Sequence, residues 1–154
     1  MRNTLSCLVI LSLIMIIHSC QGEDDQTIVS GELKKWHKLT LTFTGPVVHE
    51  QDTPNPFLDF RLNVLFKHEN REYLVPGFYS ADGNAAHSGA SRGNKWQVRF
   101  VPDLEGTWEY HVSFRKGENI AINDDKEAGE PAAFDGDKGS FVIGPNDKKG
   151  RDLR

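Results

Sequence analysis

The groups in this 154-residue chain best suited to chemistry are its carboxylates. Asp59, Glu72, Asp82, Asp103, Glu105 and Glu109 fall in its central half. Cleaving a glycosidic bond requires two such groups facing each other across a cleft, one as acid and the other as base or nucleophile. Each of these falls at a strand edge or a turn, where acidic side chains are ordinarily solvated, and no spacing pairs them. Metal chemistry fares no better. His37, His49, His68, His87 and His111 are scattered, without the paired spacing of a zinc site. Asp82-Gly83-Asn84 and Asp135-Gly136-Asp137 offer oxygens to calcium but lack the full loop of an EF-hand, and they read as turns. Ser88 and Ser91 have no base near them in sequence, and neither a Gly-x-Ser-x-Gly elbow nor a phosphate loop occurs. The expectation is a chain with no catalytic residue, no metal and no cofactor.

Aromatic side chains are the remaining candidates, because an exposed ring beside polar groups can bind a sugar or a partner surface. Trp36, Trp96, Trp108, Phe57 and Tyr79 form the pool. Trp96 and Trp108 are in phase with core positions. Phe57 and Tyr79 lie in or beside loops, with Asp82 and Asn84 close behind Tyr79, so these four residues are the candidate interdomain or ligand contacts.

The elements that must position them are strands. In Lys95–Phe100, Trp96, Val98 and Phe100 alternate with Lys95, Gln97 and Arg99. In Trp108–Arg115, Trp108, Tyr110, Val112 and Phe114 alternate with Glu109, His111, Ser113 and Arg115. A period of two sends the apolar set to a core and the charges to water. Leu39, Leu41 and Phe43, and then Phe60, Leu62, Val64 and Phe66, repeat the pattern. Shorter strands are expected at Tyr73–Val75 and Phe141–Ile143, and an early one within Ile28–Trp36. Turn signals separate them, including Thr44-Gly45-Pro46, Pro54-Asn55-Pro56 and His68-Glu69-Asn70. No window keeps a helical period. About seven short strands at this spacing predict an all-β, immunoglobulin-like antiparallel β-sandwich. The corner Pro102–Trp108 places an aromatic two residues after Gly106, the position of the tyrosine corner in immunoglobulin-like folds. Two loops stand apart. Asp82–Asn94 is small, polar and expected to be mobile. Asn119–Gly139 is long and acidic, expected as a solvated, partly disordered excursion in which Phe134 docks.

The first twenty residues have the layout of an export signal: Arg2, an apolar run from Leu8 to Ile17, then Ile17-His18-Ser19-Cys20. The run is too short for a stable membrane span. Its end resembles a bacterial lipobox, which makes Cys20 the expected lipid-attachment residue and the membrane a partner through a lipid anchor. The acidic Gln21–Asp25 segment resembles a surface-export signal of Bacteroidetes-type lipoproteins, so the expected location is the outer membrane or cell surface. The expected organisation is a signal peptide over 1–20, a tether over 21–27, the sandwich over 28–146 and a linker stub over 147–154. The two cysteines, Cys7 and Cys20, leave no disulfide for the sandwich. The formal net charge of −4, with no basic stripe, argues against nucleic acid.

The order KWHKLTLTFTGP, NPFLDFRLNVLF, VPGFYSADGN, WQVRFVPDLEGTWEY, GSFVIGP resembles a domain-of-unknown-function family (number 5060) that precedes the catalytic barrel in secreted bacterial glycoside-hydrolase-like proteins. The likeness covers roughly Leu33 to Pro145. Ser80-Ala81-Asp82-Gly83-Asn84 stands where the family carries Asp-Gly-Asp-Gly, which thins an acidic cluster. The family runs on into the barrel where Lys149-Gly150-Arg151 stand here. The resemblance therefore implies a non-catalytic accessory domain, a front fragment of a carbohydrate-processing protein. Its implied partner is a catalytic barrel, in cis or encoded next door, packed on loops at one end of the sandwich. The alternative is a freestanding surface module that binds polysaccharide or a partner protein.

Overall fold

The structure is a computed structural model that describes residues 27–150. The signal peptide, Cys20, all of the tether before Thr27 and the last four residues of the stub lie outside the described residues.

Two antiparallel sheets face each other. The first has the order β1 (Ile28–Gly31), β2 (Leu39–His49), β6 (Arg92–Phe100), β5 (Phe78–Tyr79). The second has the order β4 (Arg71–Pro76), β3 (Phe60–His68), β7 (Gly106–Lys116), β8 (Glu130–Pro131), and β9 (Lys138–Ile143) also pairs with β7. Seven strands have four residues or more and two have only two residues, which is the expected all-β sandwich. A single helical turn, α1 (Ala85–Ser88), and a 3-10 turn (Ile120–Ile122) complete the elements.

The alternation seen in sequence builds the core. Leu39, Leu41, Phe43, Trp96, Val98 and Phe100 point inward from the first sheet, and Phe60, Leu62, Val64, Phe66, Trp108, Tyr110, Val112 and Phe114 from the second. Full burial of each large apolar side chain is worth about 1.5–3 kcal/mol. The rings interlock: Phe66 stacks on Phe100 at 4.2 Å, and Trp96 meets Phe114 edge-on at 4.8 Å. At the corner, the Trp108 indole Nε1–H donates to the Leu104 carbonyl at 3.1 Å. That is the tyrosine-corner device carried out by tryptophan.

Several expectations are corrected. Thr44-Gly45-Pro46 does not end β2. The register slips between Thr44 and Val48, so these residues form a bulge in a continuous strand, where a proline without an N–H is tolerated. Gly45 is required there, because a Cβ would lie 2.7 Å from the Trp96 indole. The early strand is only Ile28–Gly31, and Trp36 turns the chain with φ 65°. Gln97 is buried on what should be a solvated face: its Nε2 donates to Thr42 Oγ1 at 3.1 Å and to the Gly83 carbonyl at 3.0 Å. The loop after β5 folds over that face, and alternation alone cannot show such a cover.

The acidic excursion is held at many points. Arg61 donates to the carbonyls of Asn123, Asp125 and Lys126, and Arg115 to those of Glu127 and Gly129. The Asp135 carboxylate accepts the Phe114 N–H at 2.6 Å. Phe134 docks as expected, stacked on Phe114 at 4.2 Å and Phe43 at 4.8 Å.

Candidate functional site

The chain crosses from one sheet to the other at Pro76–Gly77. Strand β4 ends opposite Asn63, so Phe60, Arg61 and Leu62 have no β4 partner on their open edge. The Gly77 N–H donates to the Leu62 carbonyl at 2.8 Å and carries the chain over. Glycine is required at this crossing: a Cβ would sit 2.4 Å from Leu62 Cδ2 and 2.8 Å from the Gln97 carbonyl oxygen. The crossing leaves a cleft of about 360 Å³ beside it. Phe57, Phe78 and Tyr79 line it, with Pro56, Arg61, Asn63, Trp96 and Ala121.

Phe57 is 52% exposed and Phe78 37%. Tyr79, expected in an exposed position, is 7% exposed and belongs to the core. Its inward turn follows from its pairing with Trp96 in β6. The Tyr79 hydroxyl donates to the Val48 carbonyl, and burial raises its pKa. Tyr79 therefore braces the cleft, with its ring edge-on to Phe57 at 5.9 Å and 76°. Phe78, not among the residues expected from sequence, is the second open aromatic, and the Arg99 guanidinium lies 5.0 Å from its ring centre.

A network of backbone bonds positions Phe57. The Asn55 side chain accepts the Phe57 N–H at 2.9 Å, and Asp59 Oδ2 accepts the Asn55 N–H at 2.7 Å. Asp59 Oδ1 accepts the Asn119 N–H at 3.0 Å, tying the loop before β3 to the one after β7. The Asn119 and Asn55 amides hold the Asp59 carboxyl below its ordinary pKa. Asp59, expected among the solvated carboxylates, is a staple between two loops.

Asp82 and Asn84 are exposed and lie in the loop covering Gln97. Asp82 Oδ1 accepts the Asn84 N–H at 2.8 Å, and bonds from Ser88 and then Asn84 lower the Asp82 pKa. Neither residue lines the cleft, so the structure does not bring the four candidates together. The loop around them forms one helical turn closed by Gly89.

Ser91 Oγ lies 3.1 Å from His49 Nε2, a contact the sequence did not show. His49 Nδ1 accepts the Gln51 N–H at 3.1 Å, so the ring proton sits on Nε2 and points at the serine. The imidazole has no lone pair to offer Ser91, and the pair is no nucleophile–base couple.

At the opposite end of the sandwich the two ends of the domain meet. The Lys35 N–H donates to the Gly144 carbonyl at 3.0 Å, and the Gly144 N–H to the Leu33 carbonyl at 2.8 Å. His37 Nε2 lies 2.7 Å from Asp147 Oδ1, and Nδ1 3.6 Å from Glu32 Oε2. Lys34 bonds to Asp147 and to Glu32. These contacts raise the Lys34 pKa and lower that of Asp147. Glu32, His37 and Asp147 offer ligand atoms within 4.8 Å of one another. The Lys34 ammonium already bridges the two carboxylates, and the two ring nitrogens of His37 face different ones. The group is an ion-paired clasp spanning more than a hundred residues, which is why no local spacing announced it. Beside it, Leu33, Trp36 and Val101 are exposed, and the Trp36 N–H is held by the Pro102 carbonyl at 2.9 Å.

No curated protein matches the chain. Among solved structures, a putative glycoside hydrolase from Bacteroides vulgatus ATCC 8482 is similar, with 24% identity and a TM-score of 0.48. The match covers 75% of this chain and 16% of that one. The family described as domain of unknown function DUF5060 matches residues 32–115, more than half of the chain. That span takes in the clasp residues Lys34 and His37, the cleft residues Phe57 and Phe78 and the Trp108 corner, and the chain belongs to the DUF5060 family.

Proposed function

We propose that this domain is the non-catalytic accessory part of a glycoside-hydrolase-like, carbohydrate-processing protein. Its role is mechanical: it seats a neighbouring catalytic barrel. Cys20 carries the lipid that keeps the assembly at the cell surface, following the export-signal layout of residues 1–20.

The observation that carries this reading is the clasped exit. Asp147 is pinned to Lys34 and His37, and Gly144 to Leu33 and Lys35, so the backbone leaving β9 runs against the fold. A free linker needs no such attachment; a junction that sets the orientation of the next domain does. The exposed Leu33, Trp36 and Val101 beside the exit give that domain an apolar seat. The contact surface in this reading is thus the clasp end, not the end bearing Phe57.

Translating the DNA past the codon for Arg154 in all frames tests it. A barrel with paired carboxylates, in frame or one slip away, supports the reading. Its absence there and in the neighbouring genes overturns the reading and leaves the freestanding surface module.

A further inference from the structure

We propose that the Phe57–Phe78 cleft is a carbohydrate-binding subsite that takes a sugar ring of a polysaccharide chain.

Four observations support it. First, two aromatic rings are open to solvent at a concave site, although both lie in a fold whose other phenylalanines are almost all buried. The C–H faces of a pyranose pack on such rings, and its hydroxyls need polar groups at the margin. Second, the margin supplies them. Asn63 lines the cleft with an amide that both donates and accepts, Arg61 lines it, and Arg99 stands over Phe78. Third, the Arg61 side chain at the margin is fixed, its guanidinium tied to the carbonyls of Asn123, Asp125 and Lys126. Fourth, the site is built before anything binds. Asn55 and Asp59 fix the backbone at Phe57, Tyr79 braces its ring, and Gly77 sets the step that projects Phe78. Little ordering remains to oppose binding.

The volume, about 360 Å³, suits one or two sugar rings. The cleft sits at the end away from the clasp, so a domain seated at the clasp leaves it free. The inference therefore does not depend on the barrel reading.

The test is affinity electrophoresis of the full chain through native gels containing xylan, arabinan, polygalacturonate, starch or mixed-linkage β-glucan. Retardation in at least one gel is expected. Phe57→Ala should weaken it about tenfold, the worth of one stacking contact, and Phe78→Ala should weaken it as well. Phe57→Trp should retain or strengthen it. Trp36→Ala, at the far end, should leave it unchanged. Phe57 is half exposed, so its removal leaves the core intact, and a matching thermal melt checks this. No retardation in any gel, or retardation that survives Phe57→Ala, overturns the proposal.

Discussion

Asp59 and Tyr79 show how single side chains hold the cleft. Asp59 accepts two backbone N–H groups, and its folded pKa is depressed. A depressed carboxyl contributes stability above its unfolded pKa, near 4, and loses it as pH falls through the folded value. Asp82 and Asp147 are depressed as well and add to the same acid limb. Lys34 has the opposite sign: its raised pKa gives stability below the unfolded value of about 10.4 that fades as pH rises through the folded one. Thermal midpoints across pH should therefore fall at both extremes. Asp59→Asn should lower the midpoint at neutral pH and flatten the acid limb. Tyr79→Phe removes only the hydroxyl that meets the Val48 carbonyl, and a urea titration should show a loss of about 1 kcal/mol. At this scale the sequence was only partly legible. Phe57 was recognisable as a loop aromatic. The inward turn of Tyr79 and the exposure of Phe78 depend on a two-residue strand, too short for alternation to register.

The strands themselves were far more legible, because burial on one face of a sheet imposes a period of two that survives in the residue order. The inward sets of β2, β3, β6 and β7 are the ones the alternation names. What escaped was structure laid over or across strands: the cover on Gln97, the bulge at Gly45-Pro46, and the excursion between β7 and β9. That excursion is polar enough to read as solvated, yet Phe134 anchors it between Phe43 and Phe114. Phe134→Ala should cost about 3–5 kcal/mol. It should also raise hydrogen exchange and proteolysis across residues 119–137 more than elsewhere, a pattern that mass spectrometry of the variant can read. Gly77→Ala should destabilise through its collision with Leu62 and the Gln97 carbonyl, by a few kcal/mol as overpacking does. A melt that leaves Gly77→Ala as stable as the parent would contradict the account of the crossing.

At the scale of the whole domain, no disulfide contributes to stability among the described residues: residues 27–150 contain no cysteine. The thermal midpoint should be the same with and without reductant. The clasp bears on how the domain comes to be folded. Leu33 and Lys35 bond to Gly144, Lys34 and His37 pair with Asp147, and β7 receives β9 along its edge. The opening residues of the domain thus wait on its closing ones. While the chain is still emerging from a ribosome, Leu33, Lys34, Lys35 and His37 lack the partners at Gly144 and Asp147 to which they fasten, and the edge of β7 that takes β9 stays open. Vectorial emergence and final closure are therefore separate events, with closure left to the last dozen residues of the domain.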